Sequence, residues 1–170
     1  EKSKKVLKEA AVNKKRVAES KMPGNVILTR DGGDRLPKLP NIKETFKINM
    51  GCFVEMPVEK WIALLTGMDI VSIPLPGGNM EKDYVLRANK VMEAMRKFDS
   101  LYIHIKGPDE PAHDGVYLKK KHSIEAIDKF FFGKLLNKIS LKDTVLAVTA
   151  DHSTPCEMKS HSADPVPFLL

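Results

Sequence analysis

A chain of 170 residues, 42% of them apolar, holds enough material for one domain with a buried core plus an appendage. No apolar run approaches the roughly 20 residues that cross a bilayer, and the charged residues 1–5 do not read as a signal peptide. The net charge of +6 is spread over solvated helix faces (Lys2, Lys4, Lys5, Lys8, then Lys119, Lys120, Lys121) with little aromatic interleaving. That pattern argues against a nucleic-acid partner and suits an enzyme that steers an anionic substrate.

In chain order, residues 2–20 are predicted to be one helix, with Val6, Leu7, Ala10, Ala11, Val17 and Ala18 near one face. Pro23-Gly24 breaks it, and residues 25–29 read as a short strand that runs into Arg30-Asp31-Gly32-Gly33-Asp34. Pro37 and Pro40 mark a linker over 36–44, so residues 1–35 are expected to form one part and 45–170 another. A helix with a short strand cannot bury a core alone. A strand at 51–55 follows, then a helix at 58–65 closing at Gly67, a strand at 70–75 and a turn at 76–79. Next come a helix at 84–98, a strand at 101–105, and a polar loop to Gly115. A long helix at 117–139 carries Ile124, Ile127, Phe131, Leu135 and Leu136 at core spacing; strands at 145–148 and 165–170 enclose a second polar loop. This alternation predicts an α/β fold, a mostly parallel sheet with helices on both faces. The chain starts without methionine and stops inside a predicted strand, so it is expected to be a piece of a longer protein. Two cysteines, Cys52 and Cys156, make no disulfide framework and fit a reducing, cytoplasmic setting.

In open α/β sheets, ligands bind beyond the carboxyl ends of the strands. The two polar loops fall there. They carry Asp109 and His113 in one, and Asp151, His152 and His161 in the other. Singly, each has a structural explanation: an Asp-His pair is commonly a turn or a cap, Asp109 and His113 could share a loop hydrogen bond, and His161 could be a surface residue. Together they form a mixed carboxylate–imidazole set suited to Mn²⁺, Zn²⁺, Co²⁺ or Fe²⁺, and less well to Mg²⁺ alone. His104 reads as structural and His122 as a solvated helix residue.

The motifs Lys106-Gly107-Pro108-Asp109-Glu110-Pro111-Ala112-His113-Asp114-Gly115, Ala150-Asp151-His152-Ser153-Thr154-Pro155-Cys156 and His161-Ser162-Ala163-Asp164-Pro165-Val166-Pro167 resemble the archaeal-type 2,3-bisphosphoglycerate-independent phosphoglycerate mutases of the alkaline phosphatase superfamily. Segments 23–30, 36–40, 54–58, 67–68 and 124–128 are similar as well, so the resemblance covers nearly the whole chain. It implies an alkaline phosphatase-like sheet and two divalent metal ions (Mn, Zn, Co or Mg). Asp109, His113 and His161 would hold one ion, and Asp151 and His152 the other. It also implies that residues 1–35 end an inserted substrate-binding domain, in which Arg30 binds the substrate; a surface ion pair with Asp31 or Asp34 is the alternative for Arg30. The implied reaction interconverts 3-phosphoglycerate and 2-phosphoglycerate through a phosphoserine. The nucleophilic serine and a further metal-binding aspartate would lie upstream of this chain, so the chain alone is expected to be inactive.

The sequence departs from the family's pattern in places. A lysine common near Met50 and an arginine common near Leu64 are missing, and a Gly-Ala-Thr-Gly-like turn is Leu75-Pro76-Gly77-Gly78. These departures bear on substrate contacts more than on the metal site. The alternatives are a related metallophosphohydrolase that releases phosphate, and a non-enzymatic assembly module. The expected partner is a small-molecule phosphoglycerate, with no nucleic acid and no membrane; a homo-oligomer stays open.

Overall fold

The computed structural model describes residues 1–29 and 32–170, in two units, Glu1–Pro37 and Lys38–Leu170. In the first unit the expected single helix is two, α1 (Lys2–Glu9) and α2 (Ala11–Ala18), separated by Ala10 in extended conformation (φ −63°, ψ 135°). Asn13 accounts for the break. Its buried side-chain amide donates to the carbonyl of Leu7 at 2.7 Å and to that of Gly24 at 2.9 Å, and its Oδ1 accepts from the Gly24 N–H at 2.9 Å. A side-chain amide that competes for a helix carbonyl ends the regular ladder. The predicted apolar face buries little, since Val6 and Val17 are exposed. Residues 25–29 form no strand: Val26, Ile27 and Leu28 are exposed and have no strand partner among the described residues. A strand without a pairing edge has nothing to satisfy its backbone groups except water.

The second unit opens with a short helix, α3 (Ile42–Phe46), which begins inside the stretch expected to be linker to 44. Asn41 caps it by accepting from the Glu44 N–H at 3.0 Å. A three-stranded parallel sheet follows, ordered β2 (Asp69–Ile70), β1 (Met50–Phe53), β3 (Ser100–Ile103). β1 is central and buried on both faces, as an apolar run in a parallel sheet should be. Side chains alternate along it. Cys52 and, just beyond the strand, Val54 pack against Ala63 of α4 (Pro57–Leu65) and against Met68. Phe53 turns to the other face, where α5 (Met80–Ala94) and the helix at 117–136 supply Ala88, Val91, Phe131 and Leu135. Helices therefore cover both faces.

Local chemistry sets the boundaries. α4 ends in a Schellman turn: Gly67, at φ 74°, donates to Leu64 O, and Met68 donates to Ala63 O. The strand expected at 70–75 stops at Ile70. Val71 makes one last bond, to Cys52 O at 2.8 Å, and Pro74 and Pro76 have no N–H to continue the ladder. α5 begins earlier than the expected 84 because Asn79 accepts from the Lys82 N–H. The long helix is α7 (Tyr117–Ala126), a π-helical segment (Ile127–Phe132) and α8 (Gly133–Leu136). The wider turn changes the face that meets the core, so Phe131 and Leu135 are buried while Ile124 and Leu136 are exposed.

The last two strands differ in kind from the expectation. β4 (Val148–Thr149) and β5 (Phe168–Leu169) pair antiparallel with each other, and Phe168 and Leu169 are exposed rather than buried on two faces. The loop between them folds back on itself through an antiparallel bridge between Ser153 and Ser162. That return makes the neighbouring strands antiparallel and gives the sheet component its mixed character.

Candidate metal centre

β3 ends at Ile103, and the loop after it passes close against the helices. A Cβ at Gly107 would lie 2.5 Å from Tyr84 Oη and 2.7 Å from Ser123 Oγ, so the lack of a side chain there permits this path. The loop delivers α6 (Asp109–His113), whose ends are four residues apart and so share one face. His113 Nε2 sits 3.3 Å from Asp109 Oδ1. The Ser153–Ser162 bridge brings His161 to the same point, with its Nε2 3.2 Å from His113 Nε2 and 3.9 Å from Asp109 Oδ1. One donor atom from each of Asp109, His113 and His161 lies within 4.8 Å of the others.

The surrounding contacts set the charge of Asp109 and the orientation of the His113 ring. Burial alone would raise the Asp109 pKa. Hydrogen bonds from Lys106 (2.9 Å) and Thr154 (3.1 Å), with the charges of Lys106 and His113, outweigh it and hold the carboxyl below its ordinary range. His113 Nδ1 lies 3.0 Å from the Lys159 carbonyl, which can only accept. Nδ1 therefore carries a proton, and Nε2 is the nitrogen that faces the centre of the cluster.

Asp151 and His152 adjoin this triad. The His152 and His161 rings stack at 3.6 Å. Thr154, nearly fully buried, links the two groups: its hydroxyl donates to Asp109 Oδ1, and its oxygen lies 3.0 Å from His152 Nδ1. A hydroxyl has one proton to give, so His152 Nδ1 donates to it. His152 Nε2 faces Asp151 Oδ2 at 3.3 Å. The backbone of Thr154 is held in turn by Lys120, whose Nζ donates to its carbonyl at 2.7 Å.

Of the five residues read from the two loops, Asp109, His113 and His161 meet at one point in the second unit, while His152 stacks on His161 and Asp151 lies beside His152. Arg30, read as a substrate contact, lies outside the described residues. His122 is exposed on α7, as expected of a solvated residue. Three residues of the site carry no signal in the sequence by themselves. Lys106 and Thr154 look like loop residues, and His104 looked structural, yet its ring lies between Glu59 and Asp151. The position of Thr154 two residues after His152 is the one local cue, since that spacing permits a turn in which a hydroxyl meets the imidazole.

Residues 4–170 match the Metalloenzyme superfamily. The chain belongs to that family. Within it, the chain is a homologue of the archaeal-type 2,3-bisphosphoglycerate-independent phosphoglycerate mutases. It is 38% identical over 169 residues to the enzyme of that name from Aeropyrum pernix, covering 97% of this chain and 40% of the relative. The Thermococcus kodakarensis enzyme is 34% identical over 171 residues, covering 100% of this chain and 41% of the relative. A solved Pyrococcus horikoshii protein superposes with a TM-score of 0.75 at 31% identity, covering 97% of this chain and 43% of that one. The chain therefore spans about 40% of the length of the curated mutases it matches. A carboxylate and two imidazoles converging on one point are a donor set that fits a divalent transition ion. No helix among the described residues is long and apolar enough to cross a membrane.

Proposed function

We propose that this chain is the metal-holding part of a phosphoglycerate mutase that interconverts 3-phosphoglycerate and 2-phosphoglycerate. The observation that carries the reading is the meeting of Asp109, His113 and His161, with donor atoms within 4.8 Å, in a homologue of those mutases. In this reading the triad holds one divalent ion, while Asp151 and His152 contribute to a second. The approach of His152 Nε2 to Asp151 Oδ2 at 3.3 Å, with the His152 ring stacked on that of His161, supports the second position. When bound, the two ions lower the pKa of a hydroxyl nucleophile and neutralise charge on the phosphoryl oxygens in flight.

The chain's own residues supply orientation. Lys159 O fixes the His113 tautomer, Thr154 fixes that of His152, and Lys106 with Thr154 keeps the Asp109 carboxylate ionised. Ser153 follows the ligands closely, but its backbone is engaged in the bridge to Ser162 and it serves as a turn residue. The phosphoserine intermediate of the reaction forms on a serine outside this chain, so the chain alone turns nothing over. Residues 1–35 belong to an inserted substrate-binding domain, joined through 36–44 to the metal-binding half at 45–170, and Arg30 offers its guanidinium fork to carboxylate or phosphate. Manganese suits the mixed donor set, and two free cysteines agree with a cytoplasmic setting.

The test is a coupled assay of the intact protein with 3-phosphoglycerate and Mn²⁺, alongside metal analysis of Asp109→Ala and His161→Ala. Formation of 2-phosphoglycerate, lost together with bound metal in both variants, is the expected result. Release of inorganic phosphate without 2-phosphoglycerate would make the protein a phosphohydrolase instead. Turnover by residues 1–170 alone would refute the placing of the nucleophile.

A further inference from the structure

His104 is placed directly after β3, where the loops of this sheet gather their functional groups. Its backbone is fixed on both sides: the N–H donates to Phe53 O at 2.9 Å, and the carbonyl accepts from Arg87 Nη1 at 2.8 Å. Arg87 is itself buried and paired with Glu55. The ring has a carboxylate at each nitrogen. Nδ1, fully buried and without an aligned hydrogen bond, abuts Glu59 Oε1; Nε2 faces Asp151 Oδ2 at 3.7 Å. Glu59 is anchored at the start of α4, where its Oε2 accepts from the N–H groups of Glu55 at 3.2 Å and Met56 at 3.0 Å. Asp151, by contrast, is half exposed, and among the described residues its Oδ1 is held by nothing but the N–H of the adjacent His152.

A histidine that merely fills the core needs one partner and no particular neighbour at its far edge. Here a row runs from a fixed helix terminus, through Glu59 and the His104 ring, to the least restrained carboxylate of the site. We propose that His104 is a positioning residue for Asp151: Glu59 sets the rotation of the ring, and the Nε2 edge sets the direction in which the Asp151 carboxylate points. The proposal rests on the reading that Asp151 and His152 hold a divalent ion. Groups that orient a ligand from behind change metal affinity without touching the metal.

The experiment is calorimetric titration of Mn²⁺ into the metal-stripped intact protein. Asp151→Ala is expected to abolish one of two binding events. His104→Ala is expected to weaken that same event by about 10- to 100-fold and leave the other unchanged. Glu59→Gln should weaken it in the same direction, and the double variant should be no weaker than His104→Ala, because the two residues act in series. Since His104→Ala leaves a gap beside a buried carboxylate, His104→Gln is the second variant. It keeps an N–H that reaches toward Asp151 and should restore most of the affinity. Melting of the stripped proteins separates a structural role, which would lower the metal-free transition and leave the Mn²⁺-induced rise intact. The positioning role shrinks that rise in His104→Ala and keeps it in His104→Gln. If Asp151→Ala loses a binding event while both His104 variants bind Mn²⁺ like the wild type, the positioning role is overturned and the metal reading stands. If Asp151→Ala itself binds both ions normally, the metal reading of Asp151 is wrong and the role proposed for His104 falls with it.

Discussion

Replacing Thr154 with valine would test whether one buried hydroxyl joins the Asp109 carboxylate to the His152 ring. Valine is close to threonine in volume, so the change removes two hydrogen bonds with little loss of packing. The bond donated to Asp109 Oδ1 at 3.1 Å goes to a carboxyl held in its ionised form. A bond of that kind contributes about 1.5–3 kcal/mol. The bond accepted from His152 Nδ1 at 3.0 Å adds about 1 kcal/mol. The extra buried methyl offsets about 0.8 kcal/mol. Asp109 keeps its Lys106 partner, so the net loss should be about 2 kcal/mol. With a urea dependence of about 2 kcal/mol per molar, the unfolding midpoint of the metal-stripped intact protein should fall by about 1 M. Mn²⁺ affinity should drop by about 10- to 100-fold, because the His152 ring loses the partner that fixes its tautomer. A midpoint within about 0.2 M of the wild type, together with unchanged Mn²⁺ binding, would refute the reasoning.

Three further outcomes follow from the packing. Phe131→Ala should cost about 3–5 kcal/mol, whereas Ile124→Ala in the same helix should cost under about 1 kcal/mol; the contrast, read by thermal melts, checks that the π-helical segment turns Phe131 and not Ile124 into the core. Gly107→Ala forces a Cβ against Tyr84 Oη and Ser123 Oγ. It should destabilise by about 1–3 kcal/mol and lower Mn²⁺ affinity by displacing Asp109; wild-type melting and binding would show that the loop has room. Cys52 is fully buried, and burial, then the charges of Asp69 and Glu59, push its thiol pKa up. A thiol reagent at pH 8 should therefore label Cys156 quickly and Cys52 only after denaturant is added; rapid labelling of both would contradict the packing of β1 against α4.

The sequence by itself determined the elements whose causes are local. The run at 51–55 reads as a strand from its composition, and the helix at 58–65 closes at Gly67, where a left-handed residue is needed. Asp109 and His113 are legible as a pair, and the loop motifs around them carry the resemblance to the family. What is decided over distance was not legible. Residues 25–29 have the composition of a strand, but a strand needs an edge to pair with. The run at 165–170 looked like a buried parallel strand, and only the Ser153–Ser162 bridge, which folds the loop back, makes its partner antiparallel. The same bridge carries His161 across 48 residues of sequence to His113. Thr154, Lys106 and His104 have ordinary side chains in ordinary-looking loops. Their roles come from which carboxylate or ring lies within hydrogen-bonding reach, and that depends on the packing of the loops over α5 and α7 and not on any property of the residues taken alone.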